Sequence, residues 1–110
     1  MTHRTLIVAR LEPVHRPRVA ELFADSDRTE LPNIVGVSRR MLFGFHDLYF
    51  HLIEADSEIG PGLERARSTS LFQDLNFELA KCVRPYDPGW REPRDAMAQV
   101  FYQWSAGESS

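Results

Sequence analysis

Residues 35–55 decide the fold of this chain, and they read V-G-V-S-R-R-M-L-F-G-F-H-D-L-Y-F-H-L-I-E-A. Two apolar stretches flank the dipeptide His46-Asp47, and two apolar runs separated by two turn-forming residues predict a β-hairpin. A two-residue turn places Phe45 opposite Leu48. We therefore expect a pair of antiparallel strands whose register is set at this turn, with His46 exposed.

This register also predicts how the side chains divide between the two faces of the hairpin. It places Arg39 opposite Glu54, a pairing of opposite charges that stabilises neighbouring strands. One face is expected to carry Val37, Arg39, Met41, Phe43, Phe45, Leu48, Phe50 and Leu52. The other face is expected to carry Ser38, Arg40, Leu42, Gly44, Tyr49, His51, Ile53 and Ala55. Since both faces are half apolar, we expect both to be covered.

The flanking sequence predicts the remaining elements of a single domain over residues 1–110. Before the hairpin, the patterns indicate a strand over 4–11, a helix over 17–27 and a loop over 29–34. After it, they indicate a weak helical turn over 59–66 and a helix over 71–83 that begins with a Ser70–Gln73 capping box. The chain then continues with a loop over 84–95, a strand over 96–104 and a frayed tail over 105–110. The order β-α-β-β-α-β predicts an α+β, ferredoxin-like fold, in which a four-stranded antiparallel sheet carries its helices on one face.

Composition narrows the class of protein. The chain has 110 residues, a formal net charge of −3 and one cysteine, Cys82. A negative charge argues against general nucleic-acid binding, and the first strand lacks the aromatic residues on which an RNA-recognition domain of the same topology stacks bases. The apolar runs are too short to span a membrane, and a single cysteine cannot form an internal disulfide, so we expect a cytoplasmic protein.

The uncovered face of the sheet predicts a partner. Helices can cover only one side of a four-stranded sheet, and the other side remains rich in Phe and Met. We therefore expect a homodimer that associates through sheet faces or edges.

Two polar side chains on the second hairpin face are candidates for chemistry. Arg40 and His51 lie on adjacent strands, one diagonal step apart, so both can reach one ligand. A histidine can transfer a proton near pH 7, and an arginine among apolar neighbours needs an anionic or polar partner. Asp27 lies in the acidic stretch that ends the first helix, which is expected above one rim of the sheet, where a carboxylate can face a cavity; a plain polar helix terminus is the alternative. From the residues alone, an ion-paired surface Arg40 and a hydrogen-bonded core His51 remain open alternatives.

Other kinds of site find little support. The chain has no cysteine pair and no histidine pair at i,i+4 spacing, so we expect no metal. No glycine-rich phosphate loop follows the first strand, and no nucleophile-elbow sequence surrounds a serine.

Several stretches together resemble the tetracenomycin-type aromatic polyketide cyclases of type II polyketide synthases. They are residues 27–32 (D-R-T-E-L-P), 39–43 (R-R-M-L-F), 45–56 (F-H-D-L-Y-F-H-L-I-E-A-D), 66–68, 71–73, 85–86 and 100–104. The resemblance implies a small ferredoxin-like homodimer that uses no cofactor. It also implies that the protein closes later rings of a partly cyclised poly-β-ketone by aldol condensation and loss of water.

The resemblance also assigns site residues. Arg40, His51 and Asp27 match the residues proposed for the family's active site. The family member compared has a histidine immediately before this aspartate, where the present chain has Ser26, and Gly60-Pro61-Gly62 is a second departure. The expected substrate-binding residues are Ser26, Leu42, Tyr49, Ile53, Phe72, Phe101 and Trp104.

A ligand of three or four rings needs a pocket of about 300–1,000 Å³. We therefore expect an enclosed chamber of this size beside Arg40 and His51. Two rival functions remain: a cofactor-free monooxygenase acting on a similar aromatic substrate, and a non-catalytic subunit that binds the polyketide and steers its folding.

Overall fold

The structure is a computed structural model that describes residues 2–107. Within that range the strands are β1 (His3–Arg10), β2 (Val37–Phe45), β3 (Leu48–Ala55), β4 (Arg84–Pro85) and β5 (Met97–Ala98). The helices are α1 (Arg16–Ser26), α2 (Leu31–Val35), α3 (Gly60–Ala66) and α4 (Ser70–Leu79), with 3-10 turns at Pro13–His15 and Pro93–Ala96. The expected tail overlaps residues 108–110, which lie outside the described part of the chain.

The strands form one antiparallel sheet in the order β2-β3-β1, and β4 and β5 share the fourth position beside β1. The hairpin has the expected register, with Phe45 opposite Leu48 and Arg39 opposite Glu54. The Arg39 Nη1 atom lies 3.9 Å from Glu54 Oε1, which confirms the cross-strand charge pair. The α+β class with an antiparallel sheet and helices is therefore confirmed.

A bulge at Ser38 changes one part of the predicted face assignment. Val37 pairs with Ala55, so the register shifts between Val37 and Arg39. Val37 consequently lies on the face that the helices cover, where it packs against the cluster containing Ala55. Placing Val37 on the opposite face was wrong, because strict alternation does not allow for the extra residue of a bulge.

A helix replaces the loop predicted over 29–34. Pro32 lies in the first turn of α2, where its missing N–H costs no intrahelical hydrogen bond. The Thr29 hydroxyl accepts a hydrogen bond from the Leu31 N–H at 3.2 Å, and Gly36 ends the helix with a φ of 97°. The proline therefore marks the start of a helix here and does not prevent one.

The start and end of α4 also differ from the prediction. Thr69, rather than Ser70, is the N-cap, and its hydroxyl accepts from the Phe72 N–H at 3.2 Å. Gln73 donates to the Arg67 carbonyl oxygen, so the expected Ser70–Gln73 capping box does not form. The helix ends at Leu79, and Cys82 and Val83 pack against the core from the following turn.

The Gly60-Pro61-Gly62 segment forms the first turn of α3. Gly62 is buried, and a Cβ atom at this position would overlap the Val35 carbonyl oxygen at the end of α2. The glycine therefore allows α3 to approach α2 closely.

The C-terminal segment departs most from the prediction. Of the strand expected over 96–104, only Met97–Ala98 pairs with β1, and Arg84–Pro85, expected in a loop, forms a second short pairing. Phe101 is 99% exposed and Trp104 is 70% exposed. An apolar segment forms a buried strand only where another surface packs against it. No element within residues 2–107 packs against the segment that follows Ala98.

The core lies between the sheet and the helices, in two clusters. One surrounds Ile53 and Ala55 and is closed by α2 and α3; the other surrounds Tyr49 and Ala9 and is closed by α1 and α4. Within residues 2–107, none of the helices combines the length and apolar character needed to cross a membrane.

Candidate active site

Arg40 and His51 meet on the face of the sheet that the helices cover. Arg40 pairs with Ile53 across the hairpin and His51 pairs with Leu42, so the two side chains are diagonal neighbours. Arg40 Nη1 lies 3.0 Å from His51 Nε2. The hairpin register thus brings the guanidinium and the imidazole together as the sequence predicts.

Asp27 adds a carboxylate to the same group. It directly follows α1, where its backbone N–H donates to the Phe23 carbonyl oxygen at 2.8 Å. Its two carboxylate oxygens both accept from Arg40 Nε at 3.1 Å, and Oδ1 also accepts from Nη2 at 2.8 Å. Arg40 therefore lies between Asp27 and His51, and we call these three residues the site triad.

The triad lies at the rim of the helix–sheet layer. Solvent reaches 40% of the Asp27 side chain but only 14% of that of Arg40, and His51 is buried. A guanidinium has five N–H donors. The contacts with Asp27 and His51 use one N–H on each nitrogen, so two donors remain for a ligand oxygen.

His51 is held as a neutral imidazole. Burial, and secondarily the charge of Arg40, lowers its pKa from 6.5 to about 3. Because arginine has no acceptor, His51 Nε2 must accept the hydrogen bond from Nη1, and the ring proton resides on Nδ1. Burial also raises the pKa of the neighbouring Tyr49 phenol well above its usual range, so Tyr49 stays protonated.

The other expected site residues are divided between three places. Leu42, Tyr49 and Ile53 surround the triad on the covered face, as register partners or core neighbours. Ser26 is the half-buried last residue of α1, directly before Asp27. Phe72 packs on the cluster that contains Ile53, and it borders an open hollow beside α4.

Phe101 and Trp104 do not line a site within this chain. Both belong to the exposed segment that follows β5. The strand predicted over 96–104 ends at Ala98, so neither residue is held in the sheet.

Neither the hollow beside Val8 nor the hollow beside Phe72 has Arg40 or His51 in its lining, so neither is the enclosed chamber expected beside those two residues. One hollow, of about 310 Å³, lies beside Val8, Tyr86 and Trp90; the other, of about 720 Å³, lies beside Arg67, Phe72 and Phe77. The two apolar clusters pack between the helices and the sheet. Asp27 is the most exposed member of the triad, so the rim is the side from which solvent reaches these residues.

Phe23 is a site residue that the sequence pattern did not single out. Its ring centroid lies 4.8 Å from Arg40 Cζ and 4.9 Å from the His51 ring. The available signal was its spacing, because Phe23 and Asp27 are four residues apart and so share one face at the end of α1.

The triad offers a carboxylate base, a fixed cation with free donors and a neutral imidazole. Throughout the described residues, no group of three or more His, Cys, Asp or Glu side chains is placed to hold a metal ion. Such a set suits proton transfer and stabilisation of an oxyanion.

Known proteins are similar to this chain in sequence. The family model for the polyketide synthesis cyclases matches residues 3–105. Tetracenomycin F2 cyclase of Streptomyces glaucescens is 49% identical, and the match covers 99% of this chain and 100% of that protein. Polyketide synthase CurG of Streptomyces cyaneus is 45% identical, over 93% of this chain and 96% of that protein.

A solved structure gives the same result. The structure of tetracenomycin F2 cyclase from Streptomyces glaucescens, described as a type II polyketide cyclase, superposes with a TM-score of 0.88. That match covers 94% of this chain and 98% of the solved one. Sequence and fold together show that the chain belongs to the polyketide synthesis cyclase family and is a polyketide cyclase.

Proposed function

We propose that this enzyme closes a later ring of a partly cyclised aromatic polyketide by intramolecular aldol condensation and loss of water, without a cofactor. The observation that carries the proposal is the triad itself: Arg40 bridges an exposed carboxylate and a neutral imidazole and still has two free N–H donors. The name of the relative from Streptomyces glaucescens, a cyclase of tetracenomycin F2, supports the substrate class.

The reaction needs proton transfers from the protein and no oxidant or reductant. A carbon between two carbonyl groups is acidic, so the Asp27 carboxylate can remove its proton to give an enolate. The enolate carbon then attacks a ketone of the same chain: a C–C bond forms, the C=O π bond breaks, and the alkoxide takes a proton from Asp27. Removal of a second proton and departure of hydroxide release one water and leave a C=C bond in the new ring.

Arg40 stabilises the charge that develops on oxygen. Its free donors can hold the enolate and then the alkoxide at the partly buried rim, where a fixed cation acts more strongly than it does in water. Its bonds to Asp27 and His51 fix the guanidinium before the substrate arrives. The residue therefore contributes a preorganised oxyanion site.

The role of His51 differs from the proton carrier expected from the sequence. A buried imidazole with a pKa of about 3 holds no extra proton at neutral pH, and its Nε2 atom is occupied by Arg40. We assign His51 the task of anchoring Arg40 Nη1, and we assign proton transfer to Asp27.

The function is tested by incubating the purified protein with a tricyclic poly-β-ketone precursor in an oxygen electrode. We expect multiple turnovers, a product lighter by one water, and no oxygen consumption. Stoichiometric oxygen consumption would identify a monooxygenase. Binding of the precursor without turnover would identify a steering subunit, and either result would refute the proposal.

We also propose that the enzyme is a homodimer. The uncovered face of the sheet exposes 46% of Phe43 and 61% of Phe45, and the segment after β5 exposes Phe101 and Trp104. One chain thus carries two apolar surfaces that nothing in residues 2–107 covers. A second copy can bury both sets symmetrically, which favours a two-fold dimer over an unrelated partner.

Cys82 supports a reducing compartment. It is the only cysteine of the sequence, and its thiol is free and half-buried. We therefore propose that the enzyme works in the cytoplasm, where such a thiol stays reduced.

A further inference from the structure

Phe23 contacts two members of the triad at once. It lies on α1, one turn before Asp27, and only 6% of it is exposed. Its ring approaches the Arg40 guanidinium with Cζ 4.8 Å from the centroid. It also meets the His51 ring nearly edge-on, with centroids 4.9 Å apart and planes 63° apart.

Each of the three neighbours of Arg40 constrains the guanidinium in a different way. Asp27 binds the edge formed by Nε and Nη2, and His51 accepts from Nη1. Both are contacts in or near the guanidinium plane. The Phe23 ring adds a cation–π attraction, which acts when an aromatic ring lies within about 6 Å of a cation and which strengthens where water is excluded. This attraction is independent of the two hydrogen-bonded contacts.

The Asp27 contact alone does not fix Arg40 on His51. Solvent reaches 40% of the Asp27 side chain, so water competes with Arg40 for this carboxylate. A guanidinium held only by Asp27 can swing outward with that carboxylate and leave Nε2 without a donor. The buried ring of Phe23 opposes this movement because its position is set by the packing of α1.

We propose that Phe23 is a positioning residue, whose ring holds the Arg40 guanidinium against His51 Nε2 and thereby presents its two free donors to the substrate oxygen. The effect that we expect on turnover rests on the proposed function. The effect that we expect on the His51 tautomer does not. Loss of the ring would free Arg40, and the His51 ring proton would no longer be confined to Nδ1.

The test measures the His51 tautomer and titration by ¹⁵N NMR in the substrate-free protein. The charged or titratable groups around this ring are Asp27 after α1, Arg40 on β2 and Tyr49 on β3. Phe23→Leu and Phe23→Met remove the ring, Phe23→Tyr keeps it, and Val19→Ala is the matched control. Val19 is buried on the same helix at 1% exposure and belongs to the same apolar cluster as Phe23, but it has no aromatic ring.

We expect the wild type, Phe23→Tyr and Val19→Ala to show a single tautomer protonated at Nδ1. In Phe23→Leu and Phe23→Met we expect a tautomer mixture and a pKa of His51 shifted upward, because the Arg40 cation has moved away. We expect kcat to fall at least tenfold in these two variants while KM changes less than threefold. Phe23→Met preserves most of the side-chain volume and serves if Phe23→Leu fails to fold.

Wild-type tautomer and titration in both folded variants that lack the ring would overturn the proposal. The same changes in Val19→Ala would also overturn it, because they would reflect general loosening of α1. A changed His51 tautomer with unchanged turnover would confirm the positioning role and refute the part of the proposed function that gives Arg40 its catalytic task.

Discussion

Both faces of the sheet carry an arginine and aromatic rings, but the surroundings of these side chains differ between the two faces. On the covered face, Arg40 and His51 are surrounded by helices and hydrogen-bonded to each other. On the uncovered face, Arg39 reaches solvent and the aromatic rings of Phe43 and Phe45 have no cover within residues 2–107. The comparison teaches that an arginine gains chemical function from what surrounds it, since Arg39 and Arg40 are adjacent in one strand.

The largest effect is expected from removing these two arginines one at a time. Arg40→Ala should lower kcat by about 10²–10³-fold, because an oxyanion donor of this kind contributes that much to catalysis. Arg39→Ala should change turnover by less than about twofold, since it breaks only an exposed ion pair. Ring closure is followed by absorbance, and Arg40→Lys, which keeps the charge with fewer donors, should be intermediate. Equal losses for the two alanine variants would contradict the assignment of the site to the covered face.

The uncovered face is tested by placing a charge on it. Phe43→Glu should raise the dimer dissociation constant by about 10²-fold or more, because a two-fold interface loses two buried rings and gains two buried charges. Sedimentation equilibrium measures the constant, and Val14→Glu is the control, since Val14 is 77% exposed and lies in the 3-10 turn Pro13–His15, outside the sheet. A wild-type protein that is monomeric, or an unaffected Phe43→Glu dimer, would exclude this interface.

Next in size is a pH dependence of stability that arises from the covered face. Folding lowers the pKa of His51 from 6.5 to about 3 through burial and the Arg40 charge. Below pH 6.5 the unfolded chain binds a proton that the folded chain does not. The free energy of unfolding therefore falls as the pH drops toward 3, by about 2 kcal/mol between pH 7 and pH 5.

Urea unfolding at these two pH values measures that difference. His51→Gln should remove most of it, whereas His15→Gln should leave it unchanged because the His15 side chain is exposed. A wild-type difference that persists in His51→Gln would show that another group titrates.

The smallest effect concerns the helix that covers the second cluster. Thr69→Ala removes the N-cap of α4 and should destabilise the protein by about 1 kcal/mol. Ser70→Ala should have almost no effect, because the Ser70 side chain is not the cap. Thermal unfolding of both variants distinguishes them, and a greater loss in Ser70→Ala would restore the capping box predicted from the sequence.

The covered face could be predicted from the sequence because local rules determine it. The turn at His46-Asp47 sets the register, and the register alone puts Arg40 beside His51. The contact of Asp27 with Arg40 came from the family resemblance, since residues 13 positions apart have no local rule that joins them.

The sequence predictions that were wrong concern features set by contacts between distant residues, which a local sequence pattern does not contain. The bulge at Ser38 and the helix at Pro32 follow from packing against other elements. The segment 96–104 has the apolar character of a buried strand, but no element within residues 2–107 packs against most of it. Phe23 has the spacing of any core residue, and only the coordinates show which polar groups it contacts.

Whether Arg40 holds the substrate oxygen can be seen in a crystal of the enzyme soaked with a stable aromatic polyketide analogue. We expect density at the rim between α1 and β2, with a ligand oxygen within hydrogen-bonding distance of the two free donors of Arg40. Density confined to the hollow beside Phe77 and Arg67, with Arg40 bound only to Asp27 and His51, would contradict it.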